Sequence, residues 1–172
     1  FEAGKSPGLG FRFEVADMPV GQVKQLWPWF SAPSARNWVL ANVFGGRVER
    51  GWVEMEVPPG RLGNGVPLGV GEVAGNFVIR GTRFDVAGRI PPVRDGNGAV
   101  DFRGTDVDIT LDSGTAFLPR GRVVDASNGR LAIHAAHIRP VVGKLEIEVD
   151  GEADAVLALA GYEPIDVSRF VD

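Results

Sequence analysis

Two histidines are the side chains in this sequence best suited to metal binding or acid–base catalysis near neutral pH. They are His134 and His137, and no other His is present. On a helix, residues three apart share a face and could bind one metal ion. The surrounding residues alternate between apolar and polar, which predicts a strand, where this spacing sends the two rings to opposite faces. No acidic or thiol ligand lies close in sequence, so we expect no metal site.

The acidic residues are the next candidates for chemistry, because carboxylates are the usual ligands of calcium. Asp101, Asp106, Asp108 and Asp112 occur within one segment. A calcium loop needs its oxygens to converge around a tight glycine turn. The last three residues share strand parity, so we expect a row of carboxylates along a solvated face.

Neither phosphate binding nor nucleophilic catalysis has a recognisable motif here. The glycine-rich segments at 60–65 and 69–71 are not followed by Gly-Lys-Ser/Thr or by the start of a helix. Ser31, Ser34, Ser113 and Ser127 lie in no Gly-x-Ser-x-Gly turn. We therefore expect a domain that is not an enzyme and needs no cofactor.

Composition restricts the remaining function classes. The 172 residues suggest one domain, and 18 basic against 22 acidic residues give a net charge of −4. This balance argues against nucleic acid as a partner and against electrostatic attraction to an anionic membrane. The absence of Cys excludes disulfides. No apolar stretch reaches the roughly 20 residues of a membrane-spanning helix, and no signal segment is visible. We expect a fragment of a larger protein whose anchor lies elsewhere.

Helical patterns occur mainly in residues 20–44. Pro19 precedes a first helix over Val20 to Trp27, which Pro28 ends. A second helix is predicted from Pro33 to Phe44, with Ser31 as a possible N-cap and Gly45-Gly46 as its end.

An aromatic cluster belongs to this helical pair, and it has two interpretations. We expect it to be core, packed against a sheet; the alternative is a plug that contacts lipid or an interface, a boundary that suits Trp. Arg36 is expected to cap a carbonyl or form an ion pair. The aromatic residues are Trp27, Trp29, Phe30 and Trp38.

The rest of the chain is typical of β-structure. Phe11, Phe13 and Val15 predict one early strand, and period-two alternation predicts seven or eight more over about 46–150. The alternation changes phase near Gly81 and Gly104, where we expect a bulge or a turn. A short helix is predicted over about 152–161. The expected fold of residues 1–172 is one mainly-β (β-rich α+β) domain: a curved antiparallel sheet or a sandwich, with the helical pair on its apolar face.

One face of this sheet is predicted to be apolar and too large for two short helices to cover. The remainder must be covered by a second layer, by neighbouring domains of the parent chain, or by the acyl chains of phospholipid or fatty acid. We predict a ligand-binding face that comprises Phe77, Ile79, Ile109, Leu111, Leu131, Ile133, Leu145 and Ile147.

Several short motifs resemble the central domain of uncharacterised function in YhdP-like envelope proteins of the AsmA superfamily. They are Leu26-Trp27-Pro28, Ala35-Arg36-Asn37-Trp38, Asn42 and Gly46, followed by Ile90-Pro91-Pro92, Gly96, Gly98 and Gly143. The resemblance covers about residues 20–165, and the first 18 residues do not clearly match.

The resemblance implies a location and a function. It implies a periplasmic domain of a protein anchored in the inner membrane outside this segment, which contributes to phospholipid transport between the two membranes and to envelope integrity. It supplies no catalytic residues. The alternative is an envelope interaction or structural module that binds no lipid and pairs through its open strand edges.

Overall fold

Eight strands and three helices make up the described part of the chain. The computed structural model describes residues 6–27, 33–85, 89–138 and 142–162, with the side chains of the second helix described from Arg36 onward. The elements are β1 (Leu9–Pro19), α1 (Val20–Leu26), α2 (Pro33–Asn42), β2 (Val43–Phe44), β3 (Arg47–Val57), β4 (Val73–Phe84), β5 (Val93–Arg103), β6 (Asp106–Phe117), β7 (Val123–Ile133), β8 (Gly143–Gly151) and α3 (Ala153–Ala160). The predicted mainly-β fold is confirmed.

All the strands belong to one open antiparallel sheet. Their order is β1-β3-β4-β5-β6-β7-β8, and β2 pairs with β4 beside this path. From β3 onward the sheet is a meander, so its connections alternate between two ends. Residues 58–72, 104–105 and 134–142 join strands at what we call the lower end; residues 85–92 and 118–122 join them at the upper end. Of the two predicted architectures, the described residues form the single sheet and not a sandwich.

Two predicted boundaries were wrong. The second helix ends at Asn42, and Val43–Phe44 forms a strand opposite Phe84 and Arg83. In the described part of the chain six strands follow residue 46, where seven or eight were predicted. The excess arose because Phe77 and Phe84, which differ in phase, belong to one long strand, β4.

The phase changes have the predicted local causes. Gly81 has φ of +60° where the pairing of β4 with β5 shifts register, which makes a bulge inside the strand. Gly104 has φ of +58° in the tight turn from β5 to β6. A further bulge was not predicted: Asn128 has φ of +48° where the β7–β8 pairing shifts. These bulges keep apolar side chains on one face along strands of eleven or twelve residues.

Three apolar clusters lie on this inner face of the sheet. The first packs α1 and α2 against β3 and β4, as predicted for the helical pair. The second lies at the lower end, where Leu62 and Leu68 of the β3–β4 connection cover buried Met55. The third packs α3 against Val124 at the upper end. Their buried members are, respectively, Val20, Val43, Val48 and Ile79; Met55, Val57, Val73 and Phe102; and Ala116, Leu118, Val124 and Ala155.

The outer face is polar and bears the predicted row of carboxylates. Asp108 pairs with Arg130 at 3.1 Å, and Asp112 pairs with Arg80 at 3.2 Å. Arg80 also pairs with Glu49 at 2.8 Å. These exposed pairs contribute little stability individually, because water screens their attraction. Among the described residues, no helix has the length and apolar character needed to cross a membrane.

An ion pair holds the long β3–β4 connection in place. Arg61 Nε lies 2.7 Å from Glu72 Oε1, and the Gly69 N–H donates to Glu72 Oε2 at 2.7 Å. The Gly69 N–H and the Arg61 guanidinium hold the pKa of the Glu72 carboxyl below its usual value. The Arg61 guanidinium also donates to the carbonyls of Val66 and Pro67. One carboxylate therefore organises most of this loop.

We expect the connection to loosen in acid. Because the folded-state pKa of Glu72 is depressed, its stabilisation is present above the unfolded-state pKa of about 4.3 and is lost as pH falls through the folded-state value. The melting temperature should fall more between pH 6 and pH 3 in the wild type than in Glu72→Gln, which cannot titrate there. Parallel curves for the two proteins would show that Glu72 does not hold the loop.

Candidate functional site

Two adjoining cavities lie on the inner face between the helices. The first, of about 160 Å³, lies beneath α1 and α2, and the second, of about 280 Å³, lies between β5–β8 and α3. Trp38, Phe84 and Ile109 line both cavities, so the two cavities adjoin at these three residues. We call the pair of adjoining cavities the trough. A dry apolar cavity of ~150 Å³ already holds a benzene-sized molecule.

All eight residues of the predicted ligand-binding face line the trough. The first cavity contains Phe77, Ile79, Ile109 and Ile133; the second contains Ile109, Leu111, Leu131, Leu145 and Ile147. They converge because alternate residues of a strand share a face and a meander places successive strands side by side. The walls include Trp38 on α2, which the sequence suggested only in the alternative of a lipid-contacting plug. They also include Val156 and Leu159 on α3, which the sequence did not suggest. Whether these residues bind a ligand stays a prediction.

Glycines on the inner face allow phenylalanine rings to lie flat against the sheet at the floor of the trough. A Cβ on Gly75 would lie 2.5 Å from the Phe102 ring, and one on Gly96 would lie 2.6 Å from the Phe84 ring. Each phenylalanine therefore lies over a glycine of the neighbouring strand instead of standing up into the trough. Gly51 has the same relation to Phe77. This cross-strand arrangement explains part of the glycine abundance along the inner face.

Of the aromatic residues of the helical pair, Trp27 packs against aromatic rings of the sheet, and Trp38 lines both cavities of the trough. The Trp27 ring centroid lies 6.3 Å from Phe77 and 6.2 Å from Phe102, at the lower end of the trough. Arg36 donates to the Trp27 carbonyl at 3.2 Å, which is the predicted capping role. Trp38 is 39% exposed, so the expectation that it is core was wrong. Trp29 and Phe30 lie outside the described residues.

Trp38→Ala should therefore have a modest effect on stability. Truncating a fully buried Trp costs about 3–5 kcal/mol. Because Trp38 remains partly exposed above the trough, we expect a loss of about 1–2 kcal/mol in the free energy of unfolding, measured by urea denaturation. A loss as large as that of a buried Trp would restore the core interpretation.

One charged side chain, Lys24, lines the first cavity among the described residues. Its ammonium donates to the carbonyl of Leu40 at 3.2 Å and to that of Val43, and it lies 4.6 Å from the Phe44 ring. Partial burial lowers the pKa of Lys24. Since its donors are directed at these carbonyls, the methylene stem supplies the wall of the cavity.

The charged residues of the second cavity are likewise paired. Asp85 accepts from Arg83 at 2.7 Å, and Arg130 pairs with Asp108 on the outer face. The rest of the described lining is apolar apart from Thr110. The described lining of the trough therefore offers contact area to an apolar guest and carries no unpaired charge.

The trough is open along one side. The open side runs along β8, an edge strand that pairs with β7 alone among the described strands and whose residues are all exposed. Leu145 is 48% and Ile147 41% exposed, although both face the trough. Three successive inner-face side chains of this strand, including Val149, are thus left exposed by the described residues. Such a row at a concave surface is unusual for a protein without a partner or ligand.

The histidines do not lie on a strand, contrary to the expectation. Both follow β7 in a turn, because Ala135 has φ of +51° and ends the extended run. His134 Nδ1 lies 3.8 Å from Asp106 Oδ2 and is 80% exposed. Within the described ranges no three His, Cys, Asp or Glu side chains come together in a way that could hold a metal ion. That the pair binds no metal stays a prediction, which metal analysis of the purified protein would test.

Comparison with known proteins gives no relative for this chain. No family model matches it, and no curated protein and no solved structure matches it significantly. Function is therefore inferred from the trough and from the residues around it.

Proposed function

We propose that this domain binds the acyl chains of phospholipid or fatty acid in the trough and performs no chemistry. The observation that carries the proposal is a pair of adjoining apolar cavities, open along β8, in which each charged lining residue among those described is paired with another protein group. A hydrocarbon chain needs contact area and no hydrogen-bonding partner. An enzyme of polar substrates would instead present unpaired donors and acceptors in such a site.

The dimensions of the trough suit an acyl chain. Its lining extends from Val48 on β3 to β8. That distance is five interstrand spacings, or about 24 Å at ~4.8 Å each. One leaflet of a bilayer contributes about 15 Å to the ~30 Å hydrocarbon core. A lipid tail could therefore lie across the strands with most of its length in contact with the inner face.

The biological setting of the proposal comes from the sequence resemblance. Under it, the domain is a periplasmic part of a YhdP-like protein that is anchored in the inner membrane through another segment. The domain then contributes a length of apolar surface to phospholipid transport between the inner and outer membranes, and so to envelope integrity. A trough open along one edge fits this role, because it lets a tail slide out sideways without the fold opening.

Titration with a fluorescent fatty acid tests the proposed function. The whole chain should show saturable binding, and unlabelled phospholipid should compete with it. Binding that rises linearly with ligand, or that no phospholipid displaces, would reject an acyl-chain site.

A second candidate function is supported by the edges of the sheet. Among the described strands, β1 and β8 are the edges and each pairs on one side, and β8 is exposed throughout. A strand from a neighbouring domain of the parent chain could add to either edge and cover Leu145 and Ile147 without any lipid. Failure of fatty-acid binding together with edge-dependent self-association or partner pairing would favour this interaction module.

A further inference from the structure

Exposed aliphatic side chains gather at the lower end of the sheet. They come from three separate segments: the end of α1, the β3–β4 connection and the β7–β8 connection. Each is more than half exposed. We call this set the apolar rim; it comprises Leu26, Val66, Val70, Ile138 and Val142.

The loops that carry the rim are in contact with one another. A Cβ on Gly104 would lie within 3 Å of the backbone of Gly69 and Val70, so the β5–β6 turn packs directly on the β3–β4 connection. On its other side, the carbonyl of Thr105 accepts a hydrogen bond from the Ala136 N–H at 2.8 Å. The loops therefore form a continuous ridge across the lower end.

The rim is adjacent to the trough. Ala136 belongs to the β7–β8 connection and also lines the first cavity. Leu26 precedes Trp27, whose ring stacks near Phe102 at the same end. An apolar molecule that leaves the first cavity past Ala136 would emerge among the rim side chains.

Several described charges near the rim are paired within the protein. Arg61 pairs with Glu72 at 2.7 Å, and Lys144 pairs with Glu146 at 2.5 Å. Asp106 accepts a hydrogen bond from the Ala135 N–H at 2.9 Å. Although the chain has a net charge of −4, these contacts reduce the charge that the described residues of this end present to anionic lipid.

We propose that the apolar rim docks the domain on the surface of a phospholipid bilayer. Short aliphatic side chains on separate loops match a fluid phase, which needs no shape complementarity, better than they match a folded partner. Binding through such a rim depends on buried apolar area and only weakly on salt. The proposal rests partly on the proposed function, because the position of the trough selects lipid over protein as the occupant.

Vesicle flotation of the whole chain tests the proposal. The wild type should float with phosphatidylcholine vesicles, with or without phosphatidylglycerol, in both low and high salt. The double variant Val70→Asp/Ile138→Asp should bind vesicles about tenfold less, since two aliphatic contacts are replaced by charges. The matched control is Val123→Asp/Leu157→Asp, which adds the same charge at exposed positions towards the upper end and outside the trough and should float like the wild type.

Fatty-acid binding by the same proteins separates this proposal from the proposed function. The rim variant should retain fatty-acid affinity, because neither substituted residue lines the trough. A wild type that binds fatty acid but does not float would overturn the rim and leave the trough standing. A wild type that floats but takes up no fatty acid would overturn the trough and support the rim. Equal losses of flotation in the rim variant and the control would also overturn the rim.

Discussion

Replacing Leu145 and Ile147 together by Asp should abolish fatty-acid binding while the domain remains folded. Both side chains line the trough, yet both are more than two-fifths exposed on an edge strand, so the substitution removes little packing. A carboxylate against an acyl chain loses its hydration without gaining a partner, at a cost of several kcal/mol. We expect the affinity to fall by about 100-fold or more in a fluorescence titration.

The control for this prediction is the Val123→Asp/Leu157→Asp variant, which adds the same charge at exposed positions that do not line the trough. It should keep wild-type affinity, and both variants should show cooperative melting. If the trough variant binds as the wild type does, the lipid lies elsewhere or does not bind. If both variants lose binding equally, net charge rather than the trough governs the measurement.

Met55→Ala should cause a large loss in the free energy of unfolding, because Met55 is one of the largest fully buried side chains. Met55 is fully buried in the cluster that joins β3 and β4 to the β3–β4 connection. Truncation of a buried Met typically costs about 2–5 kcal/mol, because it leaves a cavity as well as losing burial. Urea denaturation of the variant should show a lower midpoint with an unchanged slope.

The chain contains its own matched control, since its only other methionine is Met18 on the edge strand β1. Met18 is partly exposed and belongs to none of the three buried clusters. Met18→Ala should cost about 1 kcal/mol or less. Similar losses for the two variants would show that Met55 does not lie in a closely packed core.

Period-two alternation identified the residues of the trough because strand geometry is local. Residues such as Ile109 and Leu111 must share a face once the segment is extended, and β6 then lies beside β7 in a meander. The inner-face set could therefore be predicted without knowing the register. The same dependence on local geometry made the prediction for the two histidines wrong. The alternating pattern predicted a strand there, but Ala135 has a positive φ and the extended run ends before it.

The walls and the floor of the trough could not be predicted, because they depend on contacts between distant segments. Trp38 has the spacing of a core residue on a helix, and only the placement of α2 leaves it partly exposed where the two cavities meet. The pairing of Gly75 with the Phe102 ring requires the register of β4 with β5. Val43–Phe44 fits both a helix end and a strand start, and pairing with β4 decides between them.

The central claim is that the trough holds an acyl chain, and native mass spectrometry tests it most directly. The purified whole chain is incubated with phospholipid vesicles, separated from them and measured without denaturation. We predict a population heavier by the mass of one phospholipid, present in the wild type and in the Val123→Asp/Leu157→Asp control and absent from the Leu145→Asp/Ile147→Asp variant. A wild-type spectrum with apo-protein alone, or lipid bound equally by the trough variant, would contradict the account.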